Sequence, residues 1–323
     1  MTRHLPRFRF AAAALAGLVA FAGSASAQVK EIRIDWATYN PVGLVLKDKG
    51  LLEEEFKADG IAVRWVQSAG SNKALEFLNA SSIDFGSTAG AAALIGKING
   101  NPIKSIYVYS RPEWTALVVP KDSAIAKPAD LKGKRIAVTR GTDPHIFLIQ
   151  ALAGAGLSEK DVKIVLLQHA DGRLALQRGD VDAWAGLDPL MAAAEVDDGA
   201  KLFYRRPELN SWGVLNVREA FATENPAIVK RVLATYEKAR RHSVANPPEL
   251  KAALIAAAKL PDAVIAKQIE RTDISDGQIG AKQKKTILDA GLALQQAGVI
   301  EPKVDVKAVV DALIDDRYTV ASR

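Results

Sequence analysis

The chain has 323 residues, 43 of them Lys or Arg and 37 Asp or Glu, giving a formal charge of +6, and it contains no cysteine. Without a thiol there is no disulfide, cysteine-held zinc, iron–sulfur cluster, thiol catalysis or lipidated cysteine. The charge is too slight to imply nucleic acid, and the length exceeds what one hydrophobic core normally serves, so two domains are expected.

The N-terminus is basic at Arg3, Arg7 and Arg9, runs apolar from Phe10 to Phe21, and reaches Ser24-Ala25-Ser26-Ala27 before Gln28. That order predicts a secretory signal peptide over residues 1–27, and a dozen apolar residues is too short for a membrane span. Cleavage after Ala27 leaves about 296 residues and removes three cations, so 40 basic residues face 37 acidic ones, a balance of +3. No later stretch offers ~20 continuous apolar residues. The exported product is expected to be soluble and, lacking a lipid anchor, free in the periplasm.

Beyond Gln28 one unit recurs three times: a β-type run, a turn of small and hydroxyl residues, and a helical pattern. Val63–Gln67 leads through Ser68-Ala69-Gly70-Ser71 into a helix over about Asn72–Asn79, and Ile83–Gly86 leads through Ser87-Thr88-Ala89-Gly90 into Ala91–Lys97. Arg135–Thr139 leads through Arg140-Gly141-Thr142-Asp143 into a helix opened by Pro144. Small side chains at a helix start leave backbone N–H groups free for a ligand, and the macrodipole there favours negative charge. Three such starts predict a site for a small anion, or else they are ordinary N-caps. Further strands are expected at Ile32–Trp36, Ile103–Val108, Lys163–Leu167, Val181–Ala185 and Lys201–Tyr204. Strands and helices thus alternate as in a wound parallel sheet, once before about Pro120 and again up to Val217. From Asn225-Pro226 onward the pattern is helical, with Asn246-Pro247-Pro248 and Leu260-Pro261 opening further helices. Two α/β halves and a helical tail returning to the first half require two crossings, near Trp114–Pro120 and Ser211–Val217.

Four segments then stand out: Asn79-Ala80-Ser81-Ser82-Ile83-Asp84-Phe85-Gly86, Ala116-Leu117-Val118-Val119-Pro120-Lys121-Asp122-Ser123, Ala129-Asp130-Leu131-Lys132-Gly133-Lys134-Arg135-Ile136-Ala137, and Arg178-Gly179-Asp180-Val181-Asp182-Ala183-Trp184-Ala185 with Asp188-Pro189. As a set, from about Ile32 to Arg241, they resemble the aliphatic sulfonate, taurine and nitrate solute-binding proteins of ABC transporters, and among these the aliphatic sulfonate binders most. The resemblance implies an α/β, two-lobed periplasmic-binding-protein (type II) fold with two hinge crossings. Residues 28–115 and 218–323 would form lobe 1 with the helical tail, and 116–217 lobe 2. It implies a monomer without cofactor or catalysis that captures a small anion, foremost a sulfonate, between the lobes and delivers it to an ABC permease at the inner membrane.

Carried to this chain, the first-lobe contacts fall at Tyr39, Asn40, Ser68, Gly70, Ser71, Ser87 and Thr88, and the second-lobe contacts at Gly141, Thr142 and His145. Trp184 and Asp188 are expected beside the cleft. Trp114 is expected at the crossing, where an indole lines the apolar part of a ligand and still donates its N–H. Tyr39-Asn40-Pro41 stands where many sulfonate binders have a polar pair such as Gln-Lys. That departure leaves the exact ligand open, with nitrate, a sulfate ester or a thiamine precursor as alternatives; separately, the sequence does not distinguish transport from a sensory role.

Single residues keep a plainer reading beside the functional one. His145 either donates to an oxygen of the anion or is a half-exposed helix residue. Trp184 is either a site aromatic or core. Arg140 is the counter-charge if it points inward and a surface cation otherwise, with outward preferred. Asp182 and Asp188, six positions apart, need not face each other as an acid–base pair, and His169 and His242 lack partners at metal-ligand spacing. A helix terminus supplies about 0.3–1 kcal/mol, while a micromolar ligand needs about 8, so direct hydrogen bonds and apolar contacts must carry the affinity. Enzymes of related architecture, the pyrimidine synthases of thiamine biosynthesis and porphobilinogen deaminase, depend on cysteines this chain does not have.

Overall fold

The computed structural model describes Met1 and residues 29–318. The signal segment expected over 1–27 otherwise lies outside the described residues. The strands are β1 (Glu31–Trp36), β2 (Ala62–Gln67), β3 (Phe85–Ala89), β4 (Ile103–Pro112), β5 (Thr115–Val119), β6 (Arg135–Val138), β7 (Lys163–Leu166), β8 (Ala183–Leu187), β9 (Lys201–Tyr204), β10 (Gly213–Arg218) and β11 (Thr272–Asp273). They form two sheets, one ordered β11-β4-β10-β3-β1-β2 and the other β7-β6-β8-β5-β9. β1 runs parallel to β2 and β3, and β6 runs parallel to β7 and β8. Helices return the chain between these strands, which parallel pairing requires.

The expectation of a wound parallel sheet in each half is modified at the crossings. Thr115–Val119 and Gly213–Arg218, at the crossings expected near Trp114–Pro120 and Ser211–Val217, are strands. β5 pairs antiparallel with β8 and β9, and β10 pairs antiparallel with β3 and β4. Each crossing enters its new sheet without a crossover helix, so its strand lies reversed against its neighbours. The sheets are therefore mixed, and the fold is two-lobed with two hinge crossings.

The first lobe carries α1 (Pro41–Asp48), α2 (Leu51–Phe56), α3 (Ser71–Asn79) and α4 (Gly90–Ile98), and the second carries α5 (Asp143–Gly154), α6 (His169–Arg178) and α7 (Leu190–Val196). The tail adds α8 (Glu219–Glu224), α9 (Pro226–Ala245), α10 (Pro247–Ala258), α11 (Asp262–Glu270), α12 (Ala281–Gln296) and α13 (Val306–Leu313). α9 packs on α1 and α2, and α12 and α13 pack on α4, so the apolar stripe of Val229, Val232, Leu233 and Tyr236 closes the core over Ile32, Ile34 and Phe85. Alternation along β5 sends Leu117 to a core with Ile136 and Phe147 on one face, and Val118 to a core with Trp184 and Met191 on the other. No helix among the described residues is long and apolar enough to cross a membrane.

Two acidic motifs act as strand clamps. Asp84 accepts from Arg33 N at 3.0 Å, Arg33 Nη2 at 2.7 Å and Arg218 Nη2 at 2.6 Å. Asp182 accepts from Arg135 N at 2.8 Å and Arg135 Nη2 at 2.9 Å. The clamp at Asp182 holds the chain just before β8, which begins at Ala183 rather than at the expected Val181.

Candidate ligand site between the lobes

Fully buried Asp35, near the carboxyl end of β1, is the centre of the hydrogen-bonded cluster on the first lobe. Ligands bind outside such strand ends in folds of this type. Ser68 Oγ donates to Asp35 Oδ2 at 2.6 Å, and Ser87 donates to Oδ1 through both its N–H and its hydroxyl at 2.8 Å. Asn40 Nδ2 donates to Ser87 Oγ at 2.8 Å and to Tyr236 OH at 3.1 Å, while Tyr39 OH donates to Ser87 O at 3.1 Å. One internal carboxylate thus takes the Ser68 and Ser87 donors that the sequence reading expected to face an anion. Burial is the largest influence on Asp35 and pushes it up to about 6, against three hydrogen bonds that favour the charged form. The sequence reading missed Asp35; its signal was a carboxylate near the end of an apolar strand, shortly before a helix start.

The other predicted hydroxyls are also committed within the protein. Ser71 Oγ accepts from Ala89 N at 3.0 Å, Thr88 Oγ1 accepts from Asn216 Nδ2 at 2.8 Å, and Thr142 Oγ1 donates to Thr139 O at 2.6 Å. At the start of α4, Gly90 N donates to Trp212 O at 2.8 Å and Ala91 N to Ser211 Oγ at 3.2 Å. Ser87 and Thr88, expected in a turn, lie within β3. At the second of the three turns tertiary partners thus occupy the first N–H groups of α4, while at the first and third the hydroxyls of Ser68, Ser71 and Thr142 are bonded within the protein.

At the crossings, Asp143 in the first turn of α5 ties both segments together. It accepts from Trp114 Nε1 at 2.7 Å, from Ser211 N at 3.0 Å and from Ser211 Oγ at 2.7 Å. The indole N–H expected to face a ligand therefore faces Asp143, and the Trp114 ring stands edge-on to Tyr39 with centroids 5.9 Å apart. Burial raises Asp143 above the ordinary carboxylate range, opposed by the same hydrogen bonds.

Three second-lobe residues sit differently from expectation. Trp184 is core: it is fully buried, and a Cβ added at Gly172 would stand 2.7 Å from its Nε1, so α6 covers the indole. Asp188 caps α7 by accepting from Ala192 N at 2.9 Å and lies 3.3 Å from Arg271 Nε of the tail, so its charge faces a protein cation. His145 Nε2 lies 3.0 Å from Glu159 Oε1, and burial lowers its pKa more strongly than Glu159 raises it. With Arg140, Gly141 and Ile149, His145 lines a cavity of about 500 Å³ whose other walls include Ala92, Ile95 and Leu294. Arg140 is exposed and turns outward, 3.9 Å from Glu159. A second cavity of about 470 Å³ lies between α5 and α12, at Gln150, Ser211 and Ala293.

The lobes meet at the small residues. A Cβ on Gly70, at the start of α3, would stand 3.1 Å from His169 Nε2 at the start of α6. A Cβ on Gly141 would stand 3.6 Å from Asn72 Cβ, and Gly141 itself takes φ +77°, which favours glycine. The structure thus brings Gly70 and Gly141 to the junction, sets Tyr39, Asn40, Ser68 and Ser87 around Asp35, and leaves Trp184 in the core. Among the described residues no group of three or more His, Asp or Glu side chains is placed to hold a metal ion.

Two α/β lobes joined by two crossing strands, with helix starts opposed across the junction, define a two-lobed solute-binding protein of the periplasmic-binding-protein fold. Residues 47–250 match the family described as NMT1/THI5 like. The chain belongs to that family, and relatives that it matches over most of its length are aliphatic sulfonates-binding proteins. It is 32% identical over 284 residues to an aliphatic sulfonates-binding protein of Escherichia coli K12, covering 84% of this chain and 88% of that one. It is 30% identical to the taurine-binding periplasmic protein of the same strain over 59% of this chain and 60% of that one. The alkanesulfonate-binding protein of Xanthomonas axonopodis pv. citri bound to MOPS superposes with a TM-score of 0.81 at 26% identity, covering 90% of this chain and 99% of that one. These relatives are binding proteins rather than enzymes.

Proposed function

We propose that this chain is the periplasmic substrate-binding component of an ABC importer, which captures a small organosulfonate between its lobes and passes it to a permease without chemical change. Residues 28–115 with 218–323 form one lobe in this reading, and 116–217 the other. The observation that carries it is the approach of Gly141, in the third turn marked in the sequence, to Asn72, which follows the first such turn, with Gly70 of that first turn against His169 at the start of α6. The names of the sulfonate- and taurine-binding relatives support the ligand class.

The sulfonate takes its hydrogen bonds from Ser68, Ser87 and the helix starts of α3 and α5, in competition with Asp35. A neutral Asp35 lets go of these donors more readily than a charged one, since hydrogen bonds to a carboxylate are roughly twice as strong as those to a neutral group. The test is calorimetry and thermal shift on the exported chain with taurine, short alkanesulfonates, aromatic sulfonates, nitrate and thiamine precursors. A sulfonate should stabilise the protein most. Stabilisation by nitrate or a thiamine precursor alone would replace the ligand while keeping the solute-binding role. Stimulation of a reconstituted permease ATPase by the loaded protein separates transport from sensing.

A further inference from the structure

His169 opens α6 with its side chain buried, and its ring nitrogens have unequal surroundings. Nδ1 lies 3.2 Å from Thr139 Oγ1, whose own proton is given to Leu167 O at 2.8 Å. Thr139 Oγ1 therefore accepts, and Nδ1 carries the ring hydrogen. Nε2 is left with a bare lone pair, buried and without a partner. Burial also pushes the imidazole down to about 3, so it stays neutral and keeps that lone pair wherever the protein is folded near neutrality.

A second acceptor arrives from the other lobe. Asn72 Oδ1 is buried and unpartnered, and it lies 2.8 Å from the point where a Cβ on Gly70 would stand. His169 Nε2 lies 3.1 Å from the same point. Two acceptors, one from each lobe, thus stand beside Gly70, each without a partner. A buried acceptor left unmade is unfavourable, so this place calls for a donor brought in from outside.

We infer that His169 Nε2 and Asn72 Oδ1 form a donor-reading subsite, which selects sulfonates whose far end carries an ammonium or hydroxyl group over those ending in a methyl. The inference rests on the sulfonate reading above and deepens it. A side chain on Gly70 would stand against both acceptors, 2.8 Å from Asn72 Oδ1 and 3.1 Å from His169 Nε2, and glycine keeps it out. A site built to receive a hydrogen bond rejects the analogue that lacks the donor, because its own polar atoms then stay unpaired. Binding at this point also draws the two lobes together, since each supplies one acceptor.

The experiment is calorimetry of the exported chain with taurine, 2-hydroxyethanesulfonate and ethanesulfonate, which share the sulfonate and differ only at the far carbon. Wild type should bind taurine or 2-hydroxyethanesulfonate about tenfold or more tighter than ethanesulfonate. His169→Phe and, separately, Asn72→Leu should shrink that preference, read as the ratio of the affinities for taurine and ethanesulfonate, with thermal melts checking that each variant is folded. Equal binding of the three ligands by wild type overturns the subsite and leaves the sulfonate reading standing. That result would instead fit an Asn72 amide turned to donate directly to His169. A preference retained in both folded variants overturns the assignment to these residues. Failure of every sulfonate to bind overturns the sulfonate reading, and this inference with it.

Discussion

Arg271 Nε stands 3.3 Å from Asp188 Oδ2, a buried charge contact between the tail of the first lobe and the end of β8 in the second that is not aligned as a hydrogen bond. Burial, the largest influence, pushes Asp188 up to about 7, and Arg271 only partly opposes it. Arg271 also holds Glu195 at 2.6 Å, so one guanidinium fastens the tail to two second-lobe carboxylates. The charge expected beside a ligand instead ties the lobes together.

Arg271→Met should therefore destabilise the fold, by about 3–5 kcal/mol at pH 8, the range for breaking a buried pair from one side. The sign with pH follows from Asp188. Its folded pKa lies above the unfolded ~3.9, so the folded state holds the proton more tightly, and that contribution is present at low pH and lost as pH rises through about 7. Without Arg271 the carboxylate rises further. Urea unfolding should show a smaller loss at pH 5 than at pH 8, and an equal loss at both would remove Asp188 as the partner that matters.

Sulfonate affinity should fall as pH rises through about 6, because Asp35 titrates there and its charged form competes for Ser68 and Ser87. Anion binding favours the protonated carboxyl and takes up a proton. Asp35→Asn should flatten the profile and keep affinity high at pH 8. His145→Asn should leave the slope in place, since Nε2 is held by Glu159 and burial lowers its pKa. Calorimetry from pH 5 to 8 decides between them: a slope lost in His145→Asn and kept in Asp35→Asn would return the titration to the histidine.

Ser87→Ala should weaken both ligand binding and the fold. The buried hydroxyl donates to Asp35 and accepts from Asn40. Its removal leaves both partners short, at about 1–3 kcal/mol. Chemical denaturation of the variant without added sulfonate checks this, and an unchanged midpoint would mean that Asp35 and Asn40 find other partners.

Gly172→Ala should destabilise the second lobe without touching ligand selectivity. Its new methyl would meet Trp184 Nε1 at 2.7 Å inside a packed core. Overpacking of this kind costs about 1–3 kcal/mol. A lowered melting temperature with an unchanged order of ligand affinities is expected; a changed order would put Trp184 back at the cleft.

The two-lobed α/β class, the family and the first and third strand–turn–helix units were legible in the sequence, because hydrophobic periodicity and helix-start chemistry are local and survive without knowing what packs where; in the second unit the strand runs on through Ser87 and Thr88 straight into α4. Strand direction at the crossings was not, since Thr115–Val119 reads the same whether it pairs parallel or antiparallel. The hydroxyl-rich turns were also found, yet their partners were not. A serine at a helix start bonds to whatever acceptor the fold sets nearest, and only the tertiary structure brought Asp35 under Ser68 and Ser87. The same holds for Asp143 at the crossings, Arg271 against Asp188, and His169 against Gly70: each pair is far apart in sequence and meets because the chain crosses between the lobes twice. Sequence fixes which groups are present near the strand ends; folding decides which of them remain free to meet a ligand.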